Sequence, residues 1–381
     1  MEALKTFPAI VITGPRQAGK TTLLLHEFGG QFEYRSLEDL DIRKQAIEDP
    51  RKFLNSSKPM ILDEIQRAPE LLHYVKTLID ERREVNGQWI ITGSQQFQLM
   101  KGIAESLAGR AAILGLLPLS YGEIIGSDHD WRKKSLPGVV LRGGYPELVT
   151  EPEMSRNTWC GSYINSYLDR DIRDLKQVGD LRQFEIFVRS CAVRTGTILD
   201  LSGLASDVGV SVPTAKAWLS MLITGNQVYL LSPYYKNIGK RLIKSPKIYF
   251  MDTGLASYLM GMDEESILEN SPYYGPLVET LVVIETLKKM RHNGEQEMLY
   301  YLRTRDGVEA DLVIEKGGIL DLIEIKSGET VVPAHAKHLA RLRRDVEAAR
   351  EGEARVVYGG VGRGSLGSGV QYVGWKEWLM S

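Results

Sequence analysis

Apolar positions along the chain fall into short β-branched runs that alternate with stretches of helical period, the pattern of an α/β protein. Ile10-Val11-Ile12 predicts a first strand ending near Gly14, and Leu23 to Phe28 an amphipathic helix. Phe32 to Arg35 reads as a second strand, Leu40 to Leu54 as one helix with Asn55-Ser56-Ser57 as its exit, and Pro59-Met60-Ile61-Leu62 as a third strand that runs into Asp63-Glu64. Leu71 to Arg83 has helical spacing, Trp89 to Ser94 predicts a fourth strand and Ala111 to Leu116 a fifth. Runs this apolar suit strands buried on both faces, as in a parallel sheet.

Glu151-Pro152-Glu153 breaks the pattern. Helices are then expected over Trp159 to Leu175 and Arg182 to Thr195. Leu201 to Gly209 predicts a short helix with a glycine turn, and Ser211-Val212-Pro213-Thr214 a new helix start. Ala215, Trp218, Leu219 and Leu222 recur on the core face of that second helix, which makes the pair a helix-turn-helix pattern. Two β-like runs follow, Val228 to Ser232 and Lys247 to Asp252. The last third predicts a helix from Gly275 to Met290 and strands over Leu299 to Leu302, Val308 to Ile314 and Ile319 to Lys326. A basic-faced helix over Ala334 to Arg350 and strands Arg355 to Gly359 and Val370 to Val373 complete it, with Gly359 to Gly369 read as a flexible connector. The expected domains are residues 1–150, 151–265 and 266–381.

Composition is that of a globular protein, 43% hydrophobic and 25% charged with a formal net charge of −2. That balance excludes coating of nucleic acid through bulk charge, so contact with it must come from local patches. Cys160 and Cys191 stand apart without metal-ligand spacing, which excludes a zinc ribbon and a disulfide framework and fits a reducing cytoplasm. The N-terminal apolar run is too short for a signal peptide, and no run reaches membrane-spanning length, so the expected location is the cytoplasm, with no membrane partner.

The chemistry concentrates first in Gly14-Pro15-Arg16-Gln17-Ala18-Gly19-Lys20-Thr21-Thr22, which has the spacing G-x-x-x-x-G-K-[ST] between a strand and a helix. Its glycines let backbone N–H groups curl around phosphate, and the helix N-terminus adds the positive end of its dipole. Lys20 is expected to reach the β- and γ-phosphates and the Thr21 hydroxyl to hold Mg²⁺. Asp63, at the carboxyl end of its strand, is placed to bind Mg²⁺ through water, and Glu64 to orient and deprotonate the attacking water. Ser94 is either a sensor of the γ-phosphate or the N-cap of a following helix. Arg110 is a candidate arginine finger, in cis or toward a neighbouring subunit, and the trans case would make a homo-oligomer.

Together with Leu62-Asp63-Glu64-Ile65-Gln66, Thr92-Gly93-Ser94 and Leu107-Ala108-Gly109-Arg110, the phosphate loop resembles that of a prokaryotic AAA+-type ATPase family whose ATPase domain precedes a domain of long-unknown function. Gly143-Gly144-Tyr145-Pro146-Glu147 and Tyr167-Leu168-Asp169-Arg170-Asp171-Ile172 resemble its linker motifs. The chain departs from the pattern in having no second sensor arginine in a helical lid, which leaves Arg110, Arg142 and Arg170 as rivals.

Between the two β-runs of the middle region, Tyr234 to Lys244 carries lysines, an arginine and paired tyrosines and no acid. A winged helix would present this connector to phosphates or the minor groove, with Thr214 and Lys216 exposed on the recognition helix; winged helices also serve as protein-docking modules. Farther on, Glu324 and Lys326 alternate onto one face of a strand, and Asp311 on the adjoining hairpin strand meets them there. Two carboxylates and a lysine at one spot make a place for Mg²⁺ and a polarised water, the requirement for phosphodiester hydrolysis. The set resembles the PD-(D/E)xK restriction-endonuclease-like fold, which implies metal-binding roles for Glu279, Asp311 and Glu324 and a nucleophile-positioning role for Lys326. The competing readings are a salt-bridged sheet edge and an inherited fold without activity.

The sequence therefore points to an α/β chain that combines an AAA+-like parallel sheet, a helical and winged-helix middle and an α/β endonuclease-like end. Its expected ligands are ATP and Mg²⁺, and its expected partner is DNA recognised by structure rather than base sequence. The rival is a nucleotide-gated switch or scaffold that docks a protein and carries an inert nuclease fold. A dinucleotide oxidoreductase is disfavoured, since no G-x-G-x-x-G follows the first strand.

Overall fold

The computed structural model describes residues 2–93, 102–103, 105–127, 129–167, 180–235 and 245–381. The chain divides into two compact units, one running to Pro118 (with Thr224–Asn226) and one formed by Leu119–Ile223 and Gln227–Ser381.

The first unit is built on a five-stranded parallel sheet of β1 (Ala9–Thr13), β2 (Glu33–Ser36), β3 (Met60–Asp63), β4 (Trp89–Thr92) and β5 (Ala111–Gly115), in the order β2-β3-β4-β1-β5. Strand alternation sorts its side chains into two cores. Ala9, Val11, Met60, Leu62 and Ile91 pack on one face with the helix Leu71–Glu81, while Ile10, Ile12, Ile61 and Ile90 meet Leu24 and Phe32 on the other. The same alternation puts the Asp63 side chain on the Ile61 face. The single helix expected over Leu40 to Leu54 is two, Leu40–Glu48 and Pro50–Phe53. Pro50 has no N–H to give, and Asp49 leaves the helical region (φ −144°) to cap the second helix through Lys52 N–H at 3.0 Å.

In the second unit, the helix Leu181–Val193 precedes β6 (Thr197–Ile198), the helices Leu201–Val208 and Val212–Thr224, β7 (Val228–Leu231) and β8 (Lys247–Phe250). The three strands form an antiparallel sheet, β6-β8-β7. Asp200 caps the first helix of the helix-turn-helix pair, and Gly209, in the left-handed region (φ 76°), ends it. The connector Lys236 to Lys244 lies outside the described residues.

A six-stranded mixed sheet follows: β9 (Leu299–Arg303), β10 (Glu309–Lys316), β11 (Ile319–Lys326), β12 (Ala354–Tyr358), β13 (Arg363–Gly367) and β14 (Val370–Gly374), ordered β13-β14-β12-β11-β10-β9. The glycine-rich run expected to be a connector contains β13, which pairs antiparallel with β14 across a register shift between Ser365 and Gly367. Its glycines mark the bulge rather than a loop. At the opposite edge, Tyr301 exchanges backbone hydrogen bonds with Ser232 and Tyr234. The helix Ala336–Asp345 covers one face through Ala336, Leu339 and Leu342. Cys160 and Cys191 are buried free thiols, each pushed up to about 12 by burial.

The Gly143-Gly144-Tyr145-Pro146-Glu147 motif is a packing centre of this unit. Asp252 is buried and accepts from Gly144 N–H at 2.7 Å and Leu255 N–H at 2.8 Å, capping the helix Thr253–Leu259. Gly143 (φ 72°) leaves room for that carboxylate, since a Cβ there would stand 2.4 Å from its Oδ1. Tyr145 donates to the Tyr163 hydroxyl at 2.9 Å, and Trp159 Nε1 donates to Glu147 at 2.8 Å. Asp252→Ala should strand two buried N–H groups and remove a cap, destabilising the chain by about 2–4 kcal/mol in urea unfolding; a loss below about 0.5 kcal/mol would show that the motif packs without it.

Candidate functional site

The phosphate loop joins β1 to the helix Lys20–Phe28 through backbone conformations that ordinary residues avoid. Gly14 has φ 146°, Gln17 φ 57° and Gly19, the N-cap, φ 90°. At Gly14 a Cβ would stand 2.0 Å from the Leu116 carbonyl oxygen, so only glycine fits where the loop turns off the sheet. Lys20 is buried, and its Nζ donates to the carbonyls of Gly14 at 2.9 Å and Pro15 at 2.8 Å, which holds the ammonium inside the loop's curl. Pro15 and Ala18 are buried, whereas Gln17, Thr21 and Thr22 are exposed and Arg16 is half-buried.

Asp63 is the anchor opposite. The exposed Thr21 hydroxyl donates to its Oδ2 at 3.0 Å, the Tyr34 hydroxyl donates to the same oxygen at 2.7 Å, and Thr92 bonds Oδ1. Thr21 and Asp63 are thus joined directly, a pair of hard oxygen donors of the kind Mg²⁺ takes. Burial first, then the Asp63 carboxylate, raises the Tyr34 hydroxyl pKa, so Tyr34 stays a donor. Glu64 follows in the left-handed region (φ 58°), and its carboxylate accepts from the Gln66 amide. Tyr34, within β2, and Thr92, at the end of β4, are partners of Asp63 that no sequence motif marks. Ser94 lies outside the described residues, as does Arg170. Arg110 holds Asp80 through two hydrogen bonds, of 2.7 and 3.0 Å. Arg142 donates to the carbonyls of Leu148, Glu151, Pro152 and Met154, a backbone clamp on the turn that follows.

The second unit brings Glu279, from the helix Tyr274–His292, to Asp311 on β10 and Glu324 and Lys326 on β11. Asp311 Oδ2 accepts from Ile325 N–H at 2.8 Å, and Lys326 Nζ donates to Glu324 Oε1 at 2.6 Å. Three residues unforeseen in the sequence, Lys247, Glu309 and Tyr249, complete the cluster. Lys247, opening β8, is buried, with its ammonium 2.9 Å from Glu279 Oε1, 2.6 Å from Glu309 Oε1 and 3.8 Å from Asp311 Oδ1. Tyr249 also donates to Glu279 Oε1, at 2.6 Å. The available signal was a lysine at the head of the apolar run Lys247-Ile248-Tyr249-Phe250, a charge that must find partners once buried. Among the described residues no group of three or more His, Cys, Asp or Glu side chains is arranged to hold a metal ion. Metal ligation by Glu279, Asp311 and Glu324, expected from the motif, therefore does not fit this arrangement: an ammonium already stands against two of the three.

Of the two positions expected to be exposed on the helix Val212–Thr224, one is. Lys216 is exposed, but Thr214 is half-buried and its hydroxyl is 2.7 Å from that of Ser211 at the helix start.

The AAA domain model matches residues 6–125, and two models described as domains of unknown function, DUF8612 and DUF4143, match residues 133–266 and 274–378. The first unit thus carries an AAA-family nucleotide-binding domain with a P-loop. The whole chain belongs to the family of the uncharacterized proteins Mb2031c of Mycobacterium bovis and Rv2008c of Mycobacterium tuberculosis, each 32% identical over 352 residues that cover 91% of this chain and 76% of theirs. The uncharacterized protein MJ1544 of Methanocaldococcus jannaschii is 25% identical over 336 residues, 80% of this chain and 71% of its own. The solved structure of the Aeropyrum pernix ORC2 protein aligns with 68% of this chain and 90% of its own at 11% identity, with a TM-score of 0.26, too low to carry an argument. Among the described residues no helix is long and apolar enough to cross a membrane.

Burial, then the neighbouring Asp311 charge, pushes Glu279 and Glu324 each up to about 7 from 4.5, against the pull of Lys247 on the first and Lys326 on the second. The folded chain then keeps protons that the unfolded chain sheds between pH 4.5 and about 7. Their stabilisation is full below 4.5 and lost as pH rises through about 7. Calorimetry should show melting of the second unit rising from pH 8 to pH 6, at about 2–4 °C per kcal/mol gained. Glu279→Gln with Glu324→Gln should flatten that rise; an equal slope in the variant would place the protons elsewhere.

Proposed function

We propose that this chain binds and hydrolyses ATP as an AAA+-type ATPase and couples turnover to engagement of branched or broken DNA through a winged helix and a nuclease-like C-terminal domain. The observation that carries the ATPase reading is the Thr21–Asp63 pair at 3.0 Å beside a loop whose lysine is folded onto its own carbonyls. Phosphate entering the loop offers the Lys20 ammonium a stronger, charged acceptor than Gly14 and Pro15 carbonyls. Thr21 and Asp63 would hold Mg²⁺, which would supply positive charge against the phosphates. Glu64 is held by its surroundings in a backbone region that costs a non-glycine residue about 1–2 kcal/mol, which fits a carboxylate set to orient a water. Arg110 would serve as a finger only after leaving Asp80.

The DNA reading rests on the order of elements in the middle region, helix, β6, two helices, then β7 and β8, with Lys216 exposed on the second helix of the pair. Placement of Asp311 opposite the Glu324-x-Lys326 strand supports a nuclease-like fold at the C-terminal end.

Lys20→Ala should lower steady-state ATP hydrolysis by about 100-fold or more and weaken nucleotide binding, as loss of a phosphate-directed donor does; an unchanged rate would overturn the site. Binding of forked or four-way DNA should fall with salt, log K against log salt having a slope of about −0.9 per phosphate contacted. Lys240→Ala with Arg241→Ala should flatten it by about 1–2. A flat salt response on every DNA would favour the protein-docking switch.

A further inference from the structure

The C-terminal acidic cluster gathers its carboxylates around a cation that is not a metal. Glu279 and Glu309 each place an oxygen within 2.9 Å of Lys247 Nζ, and Asp311 stands at 3.8 Å. The lysine is only 4% exposed, as buried as the apolar residues beside it on β8. A side chain at that depth cannot swing into water, so its charge is part of the packing. Glu324 is 7% exposed; one of its oxygens takes Lys326 and the other, Oε2, is buried without a hydrogen-bond partner. Such an acceptor is costly to leave unmet and marks where a further cation or donor would sit.

We propose that the Lys247 ammonium takes the place of the divalent ion in this cluster, so that the nuclease-like site is closed by a residue of the preceding three-stranded sheet. A second cation beside Nζ would meet an unscreened like charge in a water-poor site. Divalent cation enters only when that charge is removed or when β8 carries it away. The lysine thereby ties three elements distant in sequence: β8, the helix Tyr274–His292 and β10. This goes beyond the ATPase reading and does not rest on it, since Mn²⁺ can be titrated with no nucleotide present.

The test is Mn²⁺ binding to the full chain, read from the electron paramagnetic resonance of free Mn²⁺. The native chain and Asp311→Asn should bind alike. Lys247→Met should gain one Mn²⁺, held on the order of 100-fold tighter than anything the native chain binds at the cluster, the size of a strong coupling between two sites. Adding Asp311→Asn to Lys247→Met should abolish it. Native binding that disappears with Asp311→Asn would overturn the proposal, because the cluster would then be an ordinary metal site. So would a folded Lys247→Met that gains no ion. Should Lys247→Met fail to fold, Lys247→Gln keeps the length without the charge and is read the same way, while the comparison of the native chain with Asp311→Asn needs no lysine variant.

Discussion

Charge balance in a dry interior is the constraint on which the second unit depends. Four carboxylates, from Glu279, Glu309, Asp311 and Glu324, converge with two ammonium groups, and neither set could be buried alone. The first unit answers the same problem differently. Asp63 is buried against three neutral hydroxyls, of Thr21, Tyr34 and Thr92. Hydroxyls can rotate and turn their lone pairs toward an arriving cation, whereas an ammonium has only donors to offer. One acidic centre is therefore built to exchange partners and the other to keep them.

How far the chain could be read from its residues follows from how local each feature is. The phosphate loop is written in nine consecutive residues, and Asp63 ends an apolar run, so both were legible. The helix-turn-helix pair was legible through Gly209 and the spacing of Ala215, Trp218, Leu219 and Leu222. The two-residue strand β6 was too short to leave a period. The break at Asp49 was misjudged because the helical period continues across Pro50, and β13 because glycines in a bulged edge strand look like a loop. Lys247 and Glu309 were missed for a deeper reason. Their significance lies in a meeting of β8, a helix and β10 that no window of sequence contains.

The linker motif shows the opposite case, a pattern recognised before its cause. Gly143 and Gly144 are small because Asp252 and the Leu119 carbonyl lie against them, at 2.4 and 2.3 Å from where a Cβ would be. Tyr145 and Glu147 then reach Tyr163 and Trp159, so the motif is fastened to the segment that follows it.

The two edges of the six-stranded sheet have a consequence for assembly. An open edge strand offers unpaired backbone groups to any other chain. Here β9 gives its outer groups to Ser232 and Tyr234, while β13 is short, glycine-bearing and bulged, and begins with an exposed arginine. Neither rim presents a flat ladder for a second sheet to continue. Backbone-templated stacking of one copy on another therefore has no starting point on this sheet.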